Sequence, residues 1–407
     1  AGSTPVKPHG TPEVPPRPSA PPAETHEVHA FEQSTIRPIA ISGFRAVPIT
    51  GQEFDGPAWV EVAWRSRALA PSYADLESVG LARAAAGDTF EVRIRGRLVV
   101  PPGLARRTEP VPLVVICMGN HQAFDRSVTP AREVESFEGY DYLQQALARN
   151  GYASISVDTN PANEIDAGIR MRADLIWATI AELQDHIAGS SELRDKIDFQ
   201  KVGFVGHSRG GEAVVMAAKL NASPAWRAAN WAGRTSVRVR AVAAIAPTDF
   251  SRGKSSSLRI EFPPPSGGSL FGPTATASFG LHVGDAERFL VLYGSHDGDV
   301  SGDAEPPFFD PANRAGTGFS LYDRSPFDKT MAFARGITHN RFNTKWNECP
   351  SYVDFGHAFV HPFTCAPLPG ERFDPFIFSA QSHRNLAIFY VGALLDRVLK
   401  SDASKEA

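Results

Sequence analysis

The sequence predicts an α/β domain: a mostly parallel sheet with helices on both faces. Three observations carry that expectation. Continuous apolar runs such as "VPLVVIC" suit strands buried on both sides. Other segments space their apolar residues for one face of a helix. The two kinds alternate from about residue 86 to the end of the chain, as βαβ crossovers require.

Residues 1–30 are rich in Pro, Ala, Glu and Thr and read as a flexible, partly extended tail. Residues 31–85 give a mixed signal, with a strand-like "AWVEVAWRSRAL", and read as an N-terminal extension packed on the main domain. The main domain, 86–407, opens with "TFEVRIRGRLVVP", whose period of two marks a half-exposed strand. "VPLVVICMGN" follows as a fully buried strand, then the helix "GYDYLQQALARNG", ended by Gly151, then the strand "YASISVD". "RADLIWATIAELQDHIAG" sets Ile176, Ile180, Leu183 and Ile187 on one helical face. "KVGFVGH" is a strand running into the helix "GGEAVVMAAKL", and "VRAVAAIAP", "FLVLYGSHD" and "TMAFARGITHN" are three further strands. "HRNLAIFYVGALLDRVLK" closes the domain as a helix.

At 407 residues and 42% hydrophobic content, the chain can bury one large core or two modest ones. A formal net charge of -4 offers no basic balance to attract nucleic acid. No apolar stretch approaches the roughly 18 residues of a membrane span. The opening "AGSTPVKPHGTPEVPPRPSAPPAE" has neither the basic start nor the apolar core of a signal peptide. It suits a processed, secreted or periplasmic chain, and a cytosolic chain could begin the same way. Of the three cysteines, Cys117 lies in an apolar strand and is expected to be a buried, inert thiol. Cys349 and Cys365 share one irregular segment, and their spacing suits a small disulfide loop in an oxidising compartment. No CxxC or HxxxH spacing supports a metal site there with His357 or His361.

The stretch "KVGFVGHSRGGEAVVMAAKL" holds Ser208 between glycines where a strand becomes a helix. Such a turn lifts a serine above the sheet edge, with Gly206 and Gly210 making room for the backbone. A serine hydroxyl is a weak nucleophile and needs a base, and the base needs a carboxylate to orient it. In a parallel sheet these partners belong just after later strands. Asp297 ends the run after "FLVLYG", with Asp249, one strand earlier, as the other candidate acid. His339 follows "TMAFA" and completes the chain order Ser, Asp, His. His357, His361 and His383 fall later, in a loop or at a helix start, and read as structural or pocket-lining. An oxyanion hole is expected from the amide of Arg209 and from that of Asn120 or His121, in the turn that Gly119 permits. A competing reading takes Asp297, Asp299, Ser301 and Gly302 as half of a calcium loop; its twelfth position is Phe308 rather than glutamate, so no metal is expected.

With these residues the chain resembles the α/β-hydrolase superfamily over about residues 86–407. "GHSRGG" resembles the nucleophile elbow of chlorophyllase-like enzymes and of the dienelactone-hydrolase, platelet-activating-factor acetylhydrolase and polyester-hydrolase branches. "YGSHDGDV" and "GITHNRFN" resemble the acid and histidine loops of secreted bacterial members. The resemblance implies a serine esterase acting through Ser208, Asp297 and His339, with no cofactor and a small-molecule or polymeric ester as substrate. Many members carry His-Gly in the oxyanion turn, where this chain reads Met118-Gly119. The same triad also serves peptidases, amidases and hydrolases of β-diketone carbon–carbon bonds, and a hydrolase scaffold can bind without catalysis. Two insertions, 250–286 and 341–380, leave the sheet at its C-terminal edge and are expected to wall the site or cover it as a lid; loop decoration is the alternative.

Overall fold

The computed structural model describes residues 39–48, 89–125, 128–164, 169–249, 286–297, 300, 316–317, 321–322, 325, 328–346, 353–354, 357–358 and 377–401. All of them fall in one compact unit, Ile36–Ala407. The 1–30 tail, the strand-like "AWVEVAWRSRAL", nearly all of the 250–286 insertion, the 347–352 and 359–376 stretches of the second insertion, and both Cys349 and Cys365 lie outside the described residues.

Eight strands form one sheet: β1 (Ile39–Pro48), β2 (Thr89–Val99), β3 (Val111–Cys117), β4 (Ala153–Val157), β5 (Ile197–His207), β6 (Val239–Ile245), β7 (Arg288–Gly294) and β8 (Lys329–Ala334). Their spatial order is β1-β2-β4-β3-β5-β6-β7-β8. Only β2 runs against its neighbours, pairing antiparallel with β1 and β4; every later pair is parallel. Strand β1 is an addition to the elements read from the sequence. Its full length pairs with β2, from Ile39 opposite Leu98 to Pro48 opposite Thr89.

The apolar runs predicted to be buried on both faces are so. Leu113, Val115 and Cys117 of β3 point into one core, and Val114 and Ile116 into the other. Helices α2 (Ile169–Gly189) and α3 (Arg209–Ala222) cover the first face; α1 (Asp141–Arg149) and α5 (Ala380–Leu399) cover the second. Ile176, Ile180, Leu183 and Ile187 of α2 are all buried, as their spacing requires. Each such side chain contributes about 1.5–3 kcal/mol relative to exposure. A short helix α4 (Pro224–Asn230) follows α3, capped by the Ser223 hydroxyl accepting from the Trp226 amide at 3.3 Å. Cys117 is fully buried, and burial pushes its thiol up to about 12, which leaves it an unreactive filler of the core. Among the described residues, no helix is long and apolar enough to cross a membrane. The described residues build an α/β fold, a mostly parallel sheet covered by helices on both faces, with the carboxyl ends of β3, β5, β7 and β8 gathered along one edge.

Two glycines let α3 sit tightly over that edge. A Cβ on Gly206 would come within 2.1 Å of the Gly210 carbonyl oxygen, and one on Gly210 within 2.4 Å of the Cys117 and Met118 carbonyl oxygens. These neighbours are backbone and cannot swing aside. Gly210→Ala should therefore destabilise the protein by about 3 kcal/mol or more, well above the usual loss for an added methyl. A urea melt that shifts by less than about 1 kcal/mol would show that the helix can ride outward at little cost.

Candidate active site

Ser208 joins β5 to α3 with φ 58° and ψ -129°. Residues other than glycine rarely adopt this conformation, at a cost of order 1–3 kcal/mol. It holds because the backbone around it is fixed on several sides. The Ser208 amide donates to the Ile245 carbonyl at 2.9 Å, and the Ser208 carbonyl accepts from Gly211 at 2.8 Å and Thr248 at 3.3 Å. The side chain is thereby lifted out of both strand and helix and set at the sheet edge.

His339 and Asp297 arrive on the loops that follow two adjacent parallel strands, β8 and β7. Backbone hydrogen bonds join these loops: Ser295 donates to Ala334 at 3.0 Å and His296 to Ile337 at 3.0 Å. The Ser295 hydroxyl accepts the Gly336 amide at 3.0 Å. Gly294 lets the loops close, since a Cβ there would lie 2.2 Å from the Ile337 carbonyl oxygen. The result is an ion-pair-ready contact of 2.8 Å between His339 Nδ1 and Asp297 Oδ2, both side chains almost wholly buried. The other oxygen of Asp297 accepts the Val300 amide at 2.9 Å. With its proton on Nδ1, His339 presents Nε2 as a base. Its ring lies 4.9 Å from that of His207, the residue just before Ser208. Asp249, the alternative acid, is fully buried and pairs through its backbone with Gly316.

Three further residues brace this arrangement: His383, which the sequence marks as structural or pocket-lining, and His207 and Trp346, to which it gives no part. His207 is buried and shares a 2.9 Å hydrogen bond with the Tyr140 hydroxyl. Burial, reinforced by His339, holds its pKa well below the usual histidine range, so it stays neutral. Trp346, also buried, anchors its indole N–H on the Ser136 hydroxyl at 3.0 Å. Its ring stacks on His121 at 5.3 Å and lies 4.9 Å from His207 and 6.4 Å from His339. The start of the 341–380 segment thus lies against the site. His383, in the first turn of α5, accepts the Thr338 amide on Nε2 at 2.8 Å and contacts the Ser379 carbonyl through Nδ1 at 2.8 Å. It fixes the residue immediately before His339.

His383 also ties the site to pH. Burial, with help from the charges of Arg341 and Arg384 and against the hydrogen bond to Ser379, lowers its pKa to about 4. The unfolded chain takes up the same proton near the ordinary value of about 6.5. Between those values protons favour the unfolded state, so this part of the stability is intact above pH 6.5 and declines as pH falls towards 4. His383→Gln removes that titration. The stability gap between wild type and His383→Gln should be widest above pH 6.5 and shrink by as much as about 3 kcal/mol by pH 4. A gap that stays constant in urea melts across this range would show that His383 titrates normally.

The turn after β3 approaches Ser208 closely. A Cβ on Gly119 would lie 2.5 Å from Ser208 Cβ and 2.9 Å from the Trp346 ring, so only glycine fits. Asn120 and His121 follow directly. The Asn120 side chain accepts from Arg172 at 3.0 Å, and burial keeps the His121 imidazole below its usual pKa. Arg209 opens α3, where first-turn amides lack intrahelical acceptors and the helix dipole favours negative charge. Of the competing calcium loop, Asp299, Ser301, Gly302 and Phe308 lie outside the described residues, as does His361; His357 is described in its backbone alone. Among the described residues, no group of three or more His, Cys, Asp or Glu side chains could hold a metal ion.

The chain matches no protein-family model and no curated protein. Among solved structures it is similar to esterase B from Lactobacillus rhamnosis, with 17% identity and a TM-score of 0.37, over 62% of this chain and 74% of that one.

Proposed function

We propose that the protein is a serine hydrolase that cleaves carboxylic esters, with Ser208 as nucleophile, His339 as general base and Asp297 as the carboxylate that orients it. The reading rests above all on the 2.8 Å contact of His339 with Asp297 beside a strained serine at a strand-to-helix turn. Hydrogen bonds alone would not need that backbone strain.

In the proposed reaction Ser208 Oγ attacks the ester carbonyl while His339 Nε2 takes its proton. Asp297 stabilises the imidazolium without taking the proton itself. The amides of Arg209 and of Asn120 or His121 hold the oxyanion. Collapse of the tetrahedral species breaks the bond to the alcohol oxygen, which leaves with the proton from His339. Water, deprotonated by the same base, then attacks the acyl-enzyme, and the acid departs as Ser208 recovers its proton. No cofactor takes part in this scheme.

The test is hydrolysis of p-nitrophenyl esters from acetate to palmitate, with and without a serine-directed fluorophosphonate, followed by peptide mapping. Turnover with the label on Ser208 is the expected result, and the chain-length profile then reports the size of the pocket. A label on Ser208 without turnover would redirect the reading to amide, polymer or β-diketone substrates. Neither turnover nor label would leave a non-catalytic scaffold.

A further inference from the structure

We infer that Arg172 is the positioning residue that sets the oxyanion hole, an inference that rests on the serine-hydrolase reading above. Arg172 is fully buried, an environment that disfavours a guanidinium unless its donors are used. It also sits in the first turn of α2, where a helix dipole repels positive charge. A side chain serving only to fill space there would be apolar. Two unfavourable placements at once call for a role in which the charge and the donors matter.

Its hydrogen bonds indicate that role. Arg172 Nη1 donates to the Thr159 hydroxyl at 3.2 Å, and Nη2 donates to Asn120 Oδ1 at 3.0 Å. Thr159 lies just past the end of β4, and Asn120 just past the end of β3. One planar group therefore joins a helix and the ends of two strands. Asn120 follows Gly119, which passes Ser208 with no space for a side chain. The next residue, His121, is held by its stack on Trp346. The peptide between Asn120 and His121 is thus gripped from both sides, by Arg172 through one side chain and by Trp346 through the other. An amide aimed at an oxyanion must not rotate when charge develops, because donors that reorient lose most of their value.

Removing the grip should damage the transition state and spare ground-state binding. In Arg172→Met, kcat should fall about 30- to 300-fold with KM within about threefold, the range for a misaimed oxyanion donor. The rate of Ser208 labelling by a fluorophosphonate should fall in parallel, because attack at phosphorus loads the same donors. Arg172→Lys, which offers a point donor in place of a fork, should recover part of the loss. Asn120→Ala should mimic Arg172→Met, and the double variant should be no slower than the worse single one, since both break one connection. Asn120 is exposed, so its variant folds even if Arg172→Met does not. A residue with a purely structural role would lower thermal stability and leave kcat per folded molecule unchanged.

If wild type turns over and labels while Asn120→Ala and the folded Arg172 variants keep kcat within about threefold, the inference is overturned and the hydrolase reading survives. Multiplying losses in the double variant would overturn it as well. If wild type neither turns over nor labels, the hydrolase reading falls first and the inference with it.

Discussion

Ser208→Ala should hydrolyse p-nitrophenyl acetate about 10⁴- to 10⁶-fold more slowly than wild type, because loss of the nucleophile removes the work of the base and its carboxylate together. The fold should survive. The Ser208 amide and carbonyl hold the turn, and both remain in the alanine variant. The strain at φ 58° remains too, since it belongs to any residue with a Cβ. Ser208→Gly should be equally inactive yet more stable than Ser208→Ala by about 1 kcal/mol, as glycine adopts this conformation without strain. Steady-state rates and urea melts on the three proteins check both halves. Turnover within tenfold of wild type in the alanine variant would remove Ser208 from the mechanism.

Asp297→Asn carries the second large effect, a fall of about 10³- to 10⁴-fold in kcat with little change in fold. The asparagine oxygen can go on accepting the Val300 amide. Its NH₂ group must then face His339 Nδ1, where a carboxylate oxygen stood before. A donor there moves the imidazole proton to Nε2, so the nitrogen needed as base becomes a donor. Asp249→Asn is the matched comparison, with an expected loss below tenfold, because the carboxylate on His339 is that of Asp297. The reverse pattern of losses would make Asp249 the acid.

Much of the sheet was legible in the sequence because buried strands need apolar runs and the elbow needs its glycines. Strand β1 was not. "IAISGFRAVP" mixes a glycine and an arginine into a weak alternation, and the backbone pairing with β2 that defines it leaves no trace in one sequence. Ser208, Asp297 and His339 could be singled out because each follows a strand, as it does in the structure. The bracing residues follow no such rule. Arg172 opens the recognisable helical stretch "RADLIWATIAEL", whose spacing says nothing of its burial, and it is fully buried. His383 acquires its role only when α5 brings it to Thr338, and Trp346 only when it meets His121 and Ser136. Roles that depend on meetings between distant segments have no local signature.

The order of those meetings matters while the chain is being made. Ser208 precedes Asp297, His339, Trp346 and His383 along the chain. A chain made only through α3 still lacks Ile245 and Thr248, whose backbone groups hold the strained turn at Ser208. Helix α5 supplies the His383 ring nitrogen that accepts the Thr338 amide, so the loop carrying His339 gains this anchor only once residue 383 has been made and has folded back.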